Sequence, residues 1–160
     1  LDQSIVNLLV KNTFSKIETS CLLSAFVVSR SYERASVRML EIAQLIDKLI
    51  ESDNRVIPLS NIIEAVEEVS CLFGIAKQFY FSNDGSRVSQ EMLKANTLKD
   101  ILLSASRVHA TYLLENPKNI IEFLILDELA RALEQLTTYS EAILREAVFI
   151  NALEDTSDML

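Results

Sequence analysis

Few residues in this 160-residue sequence carry the chemistry that a catalytic or metal site needs. There is one histidine, His109, and there are two cysteines, Cys21 and Cys71. A single imidazole cannot form a His-based metal pair, and no His-based triad can be assembled within one chain. His109 falls on the apolar stripe of a helical pattern, which favours a buried or half-buried structural imidazole over a ligand. Cys21 and Cys71 lie far apart, each within a helical apolar pattern, and read as small buried hydrophobes. Serines are plentiful, but none has a base and an orienting acid near it in sequence. The two glycines cannot build a phosphate-cradling loop.

Charged residues cluster in two places. Glu64, Glu67 and Glu68 could hold a cation. They sit near the N-terminal end of a helical pattern, where the helix dipole favours negative charge, and a solvated face is the better reading. Lys11, Lys16, Arg30, Arg34 and Arg38 give the first half a basic surface, again better read as solvated than as an anion site. Two charged pairs match across the chain: Arg30-x-x-Glu33 and Arg131-x-x-Glu134 are separated by 101 residues.

That spacing leads to the elements that must position these residues. Cys21, Ala25, Val28, Tyr32, Ala35, Met39, Ile42, Ile46 and Leu49 follow steps of four and three, so they share one helix face. Adding 101 to each after the first gives Leu126, Leu129, Leu133, Leu136, Ser140, Ile143, Ala147 and Ile150, all but one apolar. Residues 2–17 form an earlier helix, with Val6, Val10, Thr13 and Ile17 on one side. Thr19 or Ser20 can cap the long helix that follows, which runs to about Ser52. Pro58 suits the start of a third helix over about 59–81, with Asn61 and Glu64 as a capping pair. Its inward residues are Ile62, Val66, Val69, Phe73, Ala76 and Tyr80, and Gly74 within it could allow a close helix approach. Ser82–Ser86 is a turn. A fourth helix covers about 87–114, with Leu98, Leu102, Ala105, His109 and Tyr112 in line. Asn116-Pro117 is an N-cap followed by Pro at the first helical position of the last helix, which runs to about Ala152 ahead of a frayed polar tail. Nothing alternates as a strand does. The fold class expected is an all-α antiparallel bundle of about five helices in one domain, 1–160.

Composition agrees. Hydrophobic residues make up 49 % of the chain, which has two Gly and two Pro, so long helices and a sizeable core are expected. No apolar run approaches the roughly 18 residues of a membrane span. With no signal peptide visible, a cytoplasmic location without membrane insertion is expected. A formal net charge of −8 repels phosphate backbones, so direct nucleic-acid binding by this segment is not expected. The first residue is Leu, which suggests a piece of something longer.

On the two repeated helices the chain resembles PhoU-type phosphate-uptake regulators. In that family a three-helix unit occurs twice, and each third helix carries a signature like Leu-Glu-Arg-Ile-x-Asp-His followed by Asn-Ile-Ala-Glu. Here the first copy reads Tyr32-Glu33-Arg34-Ala35-Ser36-Val37-Arg38, then Glu41-Ile42-Ala43-Gln44. The second reads Leu133-Glu134-Gln135-Leu136-Thr137-Thr138-Tyr139, then Ala142-Ile143-Leu144-Arg145. Glu115-Asn116-Pro117-Lys118-Asn119-Ile120 is similar to the family's lead-in to its last helix. The resemblance implies repeat one over about 1–57, lacking its first helix, and repeat two over about 58–153. Relatives place Glu and Asp four apart on the third helix, where they help hold iron or zinc clusters. Glu33 and Glu134 match the Glu, but Val37 and Thr138 replace the Asp. No metal is therefore expected at Glu33 or Glu134, and no cofactor or catalytic residue elsewhere.

What the resemblance implies is a non-enzymatic regulator of phosphate uptake or phosphate signalling. It would act by contact with a phosphate transporter or a signalling protein, as a homodimer formed over the apolar flank that the absent helix leaves. One alternative is the dimerisation or sensor half of a transcriptional regulator, since some archaeal members carry an AbrB-like DNA-binding segment upstream. Another is a structural helical oligomerisation module. A helical-bundle enzyme or metal store is a different class, and it needs Glu-x-x-His motifs that this chain lacks.

Overall fold

The computed structural model describes residues 4, 7, 15–52, 60–82, 87–115 and 117–157. They form helix α1 (Lys16–Glu51), α2 (Ser60–Ser82), α3 (Val88–Glu115), a 3-10 turn (Pro117–Asn119) and α4 (Ile120–Ser157). The described residues are almost entirely helical, without a strand among them. Among the described residues there are four α-helices, where five were expected from the sequence. The expected helix at 2–17 lies outside the described residues, apart from Ser4 and Asn7, both helical, and the residues from Ser15 on, which begin α1.

The start of α1 is set by Ser15, not by Thr19 or Ser20. The Ser15 hydroxyl accepts from the Glu18 backbone N–H at 3.2 Å, and the Glu18 carboxylate accepts from the Ser15 backbone N–H at 2.9 Å. This capping box satisfies two donors that the first turn would otherwise leave open. Thr19 already sits inside the helix, its hydroxyl donating to the Ser15 carbonyl. Asn61 likewise lies within α2, which begins one residue earlier. Pro58, Asn83–Ser86 and Asn116 fall outside the described residues. Pro117 opens the 3-10 turn, and regular helix begins only at Ile120. At the other end α4 continues through the polar tail to Ser157 instead of stopping near Ala152.

Helix α4 is the axis of the bundle. Each of the other three helices packs against it, and α2 and α3 also touch each other. Its sequence explains why. Leu129, Ala130, Ala132, Leu133, Leu136 and Thr137 are all buried, and positions so closely spaced point in several directions from one helix. A helix apolar on most sides must be surrounded. Lys99 of α3 bonds Glu141, and Ser106 bonds Asp127, so α3 and α4 run antiparallel. The edge-to-face pair Tyr32–Phe73, with ring centroids 5.3 Å apart, joins α1 to α2.

The expected pairing of α1 with α4 is present. The inward line of α1 is shifted, however. Ser24, Val28, Ser31, Ala35, Ile42 and Leu45 are buried, while Cys21 and Met39 are exposed. Cys71 on α2 is exposed too, so neither cysteine is the buried hydrophobe expected from the sequence. Ser24, Ser31 and Ala35 are the small residues on this line. The Ser31 hydroxyl is satisfied within its own helix by the Val27 carbonyl at 2.9 Å. The expected inner residues of α2 and α3 are buried or half-buried as placed, with Val88, Glu91 and Ala95 adding to the α3 line. Gly74 is exposed, and a Cβ there would meet nothing within 4 Å, so it serves no close helix approach. Among the described residues no helix is long and apolar enough to cross a membrane.

Candidate functional site

Glu33 and Glu134 are both exposed. Arg30 Nη1 lies 2.9 Å from Glu33 Oε2, a pair open to water on both sides. Arg131 turns the other way, its Nη2 lying 2.7 Å from Asp127 Oδ2 one helical turn earlier. The repeated Arg-x-x-Glu is thus not a repeated ion pair. Val37, four residues after Glu33, is exposed and offers no ligand atom. The Thr138 hydroxyl donates to the Glu134 carbonyl at 3.0 Å. Among the described residues no three His, Cys, Asp or Glu side chains come together as a metal site.

His109 is buried on α3, as its place in the stripe implied. Burial pushes its pKa below the ordinary value near 6.5, and the negative charge of Asp127 only partly offsets this. Its Nδ1 has no hydrogen-bond partner among the described residues. Nearby, the Ser106 hydroxyl donates to Asp127 Oδ1 at 3.0 Å, and Arg131 holds the other Asp127 oxygen. Ser106, Asp127 and Arg131 border a cavity of about 260 Å³ between α3 and α4, floored by Leu102 and Ala130. Serine and aspartate meet here, and His109 feels the Asp127 charge, but the three do not form a nucleophile relay. An activated serine gives its proton to a base that an acid orients. Here the serine bonds the carboxylate directly, and an arginine already neutralises that carboxylate. The cluster is a polar clasp between two helices.

A second clasp lies further along. Lys99 Nζ stands 2.7 Å from Glu141 Oε2, with Glu141 almost fully buried and Arg145 at 3.9 Å. Sequence reading missed Lys99, Ser106, Asp127 and Glu141, because their partners lie on another helix. One signal was available: Glu141 falls among the apolar positions around Leu136, Ile143 and Leu144, and buried charges are paired.

An open groove of about 580 Å³ lies between α2 and α3. Ala65 and Leu98 form its buried floor, and Leu93 and Ile101 line it while still largely exposed. Glu64 and Glu68, two of the three clustered carboxylates, stand on its rim. Lys94 is its one cation among the lining residues, held 2.7 Å from Glu91 Oε1 on its own helix. Hydrogen bonding to Glu91 is the main reason the Lys94 pKa is raised, with Glu68 contributing. The carboxylate cluster is thus brought to an apolar groove, while the basic residues of α1 are placed elsewhere. Arg30 engages Glu33, and Arg38 engages both Glu41 and the Tyr139 hydroxyl.

No protein-family model matches this chain, and a search of curated proteins finds no match to it.

Proposed function

We propose that this chain is a non-enzymatic regulatory module of phosphate uptake, built like the PhoU-type regulators it resembles and acting through contact with other proteins. The observation that carries the reading is the burial pattern along α1 and α4. Ser24, Val28, Ser31, Ala35 and Ile42 are buried on α1, and the residues 101 further on, Ile125, Leu129, Ala132, Leu136 and Ile143, are buried on α4, whereas buried Leu45 answers to half-buried Glu146 and exposed Met39 to buried Ser140. Two helices that pack lengthwise and bury corresponding positions are what a duplicated three-helix unit would leave at its seam. On this reading α2, α3 and α4 are the complete unit, and α1 is the last helix of the other.

The chemistry of the side chains supports a binding role over a catalytic one. The polar clusters within the fold are clasps whose charges are spent on holding helices together. The large apolar side chains left in water are spread over all four helices, with Leu23, Val37 and Leu40 on α1. The self-association expected from the sequence belongs to the same reading and would use α1.

A direct test is surface-immobilised phosphate transporter from the same cell exposed to the purified chain. Saturable binding that responds to phosphate supports the proposal. No binding to the transporter, with or without phosphate, counts against it.

A further inference from the structure

We propose that the α2–α3 groove is the docking site for a basic amphipathic helix of a partner protein. Three observations converge on it. The groove is apolar inside, with Ala65 and Leu98 at its base, and Leu93 and Ile101 keep 66 % and 50 % of their surface in water. Along α3 it extends from Gln90 to Ile101, which at the helical rise is about 16 Å, or three turns. Over that length a docked helix can set anchors at i, i+4 and i+7 into one groove.

Charge then selects the occupant. Glu64 and Glu68 stand on the rim, and Lys94, the cation among the lining residues, is already paired with Glu91. A helix carrying Lys or Arg beside its apolar stripe would meet opposite charge on the rim and apolar surface at the base. A second copy of this chain fits less well, because each copy has a formal net charge of −8 and would bring mostly acid to an acidic rim. The same sign excludes nucleic acid. This inference rests on the regulatory reading only in taking the partner to be a protein.

The test uses the full chain and two synthetic helices of about eighteen residues, five turns long. Both carry Leu at i, i+4, i+7 and i+11; one has Lys on the flanks and the other has Glu. Methyl NMR should show the Lys peptide shifting Leu93, Leu98 and Ile101, with affinity at least tenfold above that of the Glu peptide. Glu64→Lys with Glu68→Lys should reverse that preference. Leu93→Ser with Ile101→Ser should weaken Lys-peptide binding at least tenfold, and these exposed sites should leave the circular dichroism unchanged. Equal affinity for both peptides, or shifts confined to other helices, overturns the assignment. So does sedimentation showing a dimer that the Leu93→Ser, Ile101→Ser variant abolishes, since the groove would then hold a second copy. Transporter binding is measured separately. If it persists while the peptide fails, the groove assignment falls and the regulatory reading stands. If the peptide binds and the transporter does not, the reverse holds.

Discussion

Lys99 and Glu141, 42 residues apart in sequence, meet at 2.7 Å across the α3–α4 contact. Glu141 is almost wholly buried, and its other oxygen has no partner among the described residues. A carboxylate taken out of water in this way depends on its one close cation. Lys99→Met should therefore destabilise the fold by roughly 2–3 kcal/mol. That is below the usual cost of breaking a buried pair, because Lys99 is itself a quarter exposed and Arg145 stands near. Lys99→Met with Glu141→Leu should recover most of the loss. Denaturant unfolding of the two variants checks both. Equal losses in single and double variants would show that the charge pairing is not what matters.

His109 predicts a pH dependence. Its pKa is lowered in the folded chain, so the unfolded chain binds more protons over the window just below 6.5. Stability should rise with pH through that window and be lost as the pH falls from about 7 toward 5. Asp127 faces the imidazole, with Ser106 and Arg131 engaged on that same carboxylate. Thermal melts of wild type and His109→Gln should diverge in slope over this range, the variant being flatter. Parallel curves would mean that His109 titrates alike in both states.

Gly74 lies mid-helix in open space. Gly74→Ala should stabilise the chain by about 0.5–1 kcal/mol, the helix-propensity difference, with no steric penalty. A loss of stability in denaturant melts would show that something closes over this position.

At Glu33 and Glu134 no stoichiometric iron or zinc is expected in protein purified without chelator. Each would have to act without the carboxylate four residues on, and Glu33 is already spent on Arg30. Elemental analysis decides it. Val37→Asp with Thr138→Asp should gain metal if the spacing is what is lacking.

The helices themselves were legible, because apolar spacing along α2, α3 and α4 is strong and local. The inner line of α1 was less so. Cys21 and Met39 fit the stripe by spacing, yet Ser24 and Ser31 take the inside beside Val28, Ala35, Ile42 and Leu45. Ser15, Thr19 and Ser20 are similar caps by type, and only the reach back from Glu18 singles out Ser15. The long-range clasps left almost no local trace. Asp127 means little until Ser106, 21 residues earlier, is placed against it. The groove is a property of two helices, and the Glu64, Glu67, Glu68 run gave only its sign.

On the proposed reading, this chain regulates phosphate uptake by contact and without chemistry of its own. The most direct measurement is the rate of labelled phosphate uptake by its native cells in phosphate-rich medium, with and without the chain. The account predicts that removing it changes the uptake rate severalfold. Restoring it should return the rate to normal, and Ser106→Ala, which breaks the polar clasp at Asp127, should do so equally well. An uptake rate indifferent to the chain, or a restoration that Ser106→Ala abolishes while the fold survives, would contradict it.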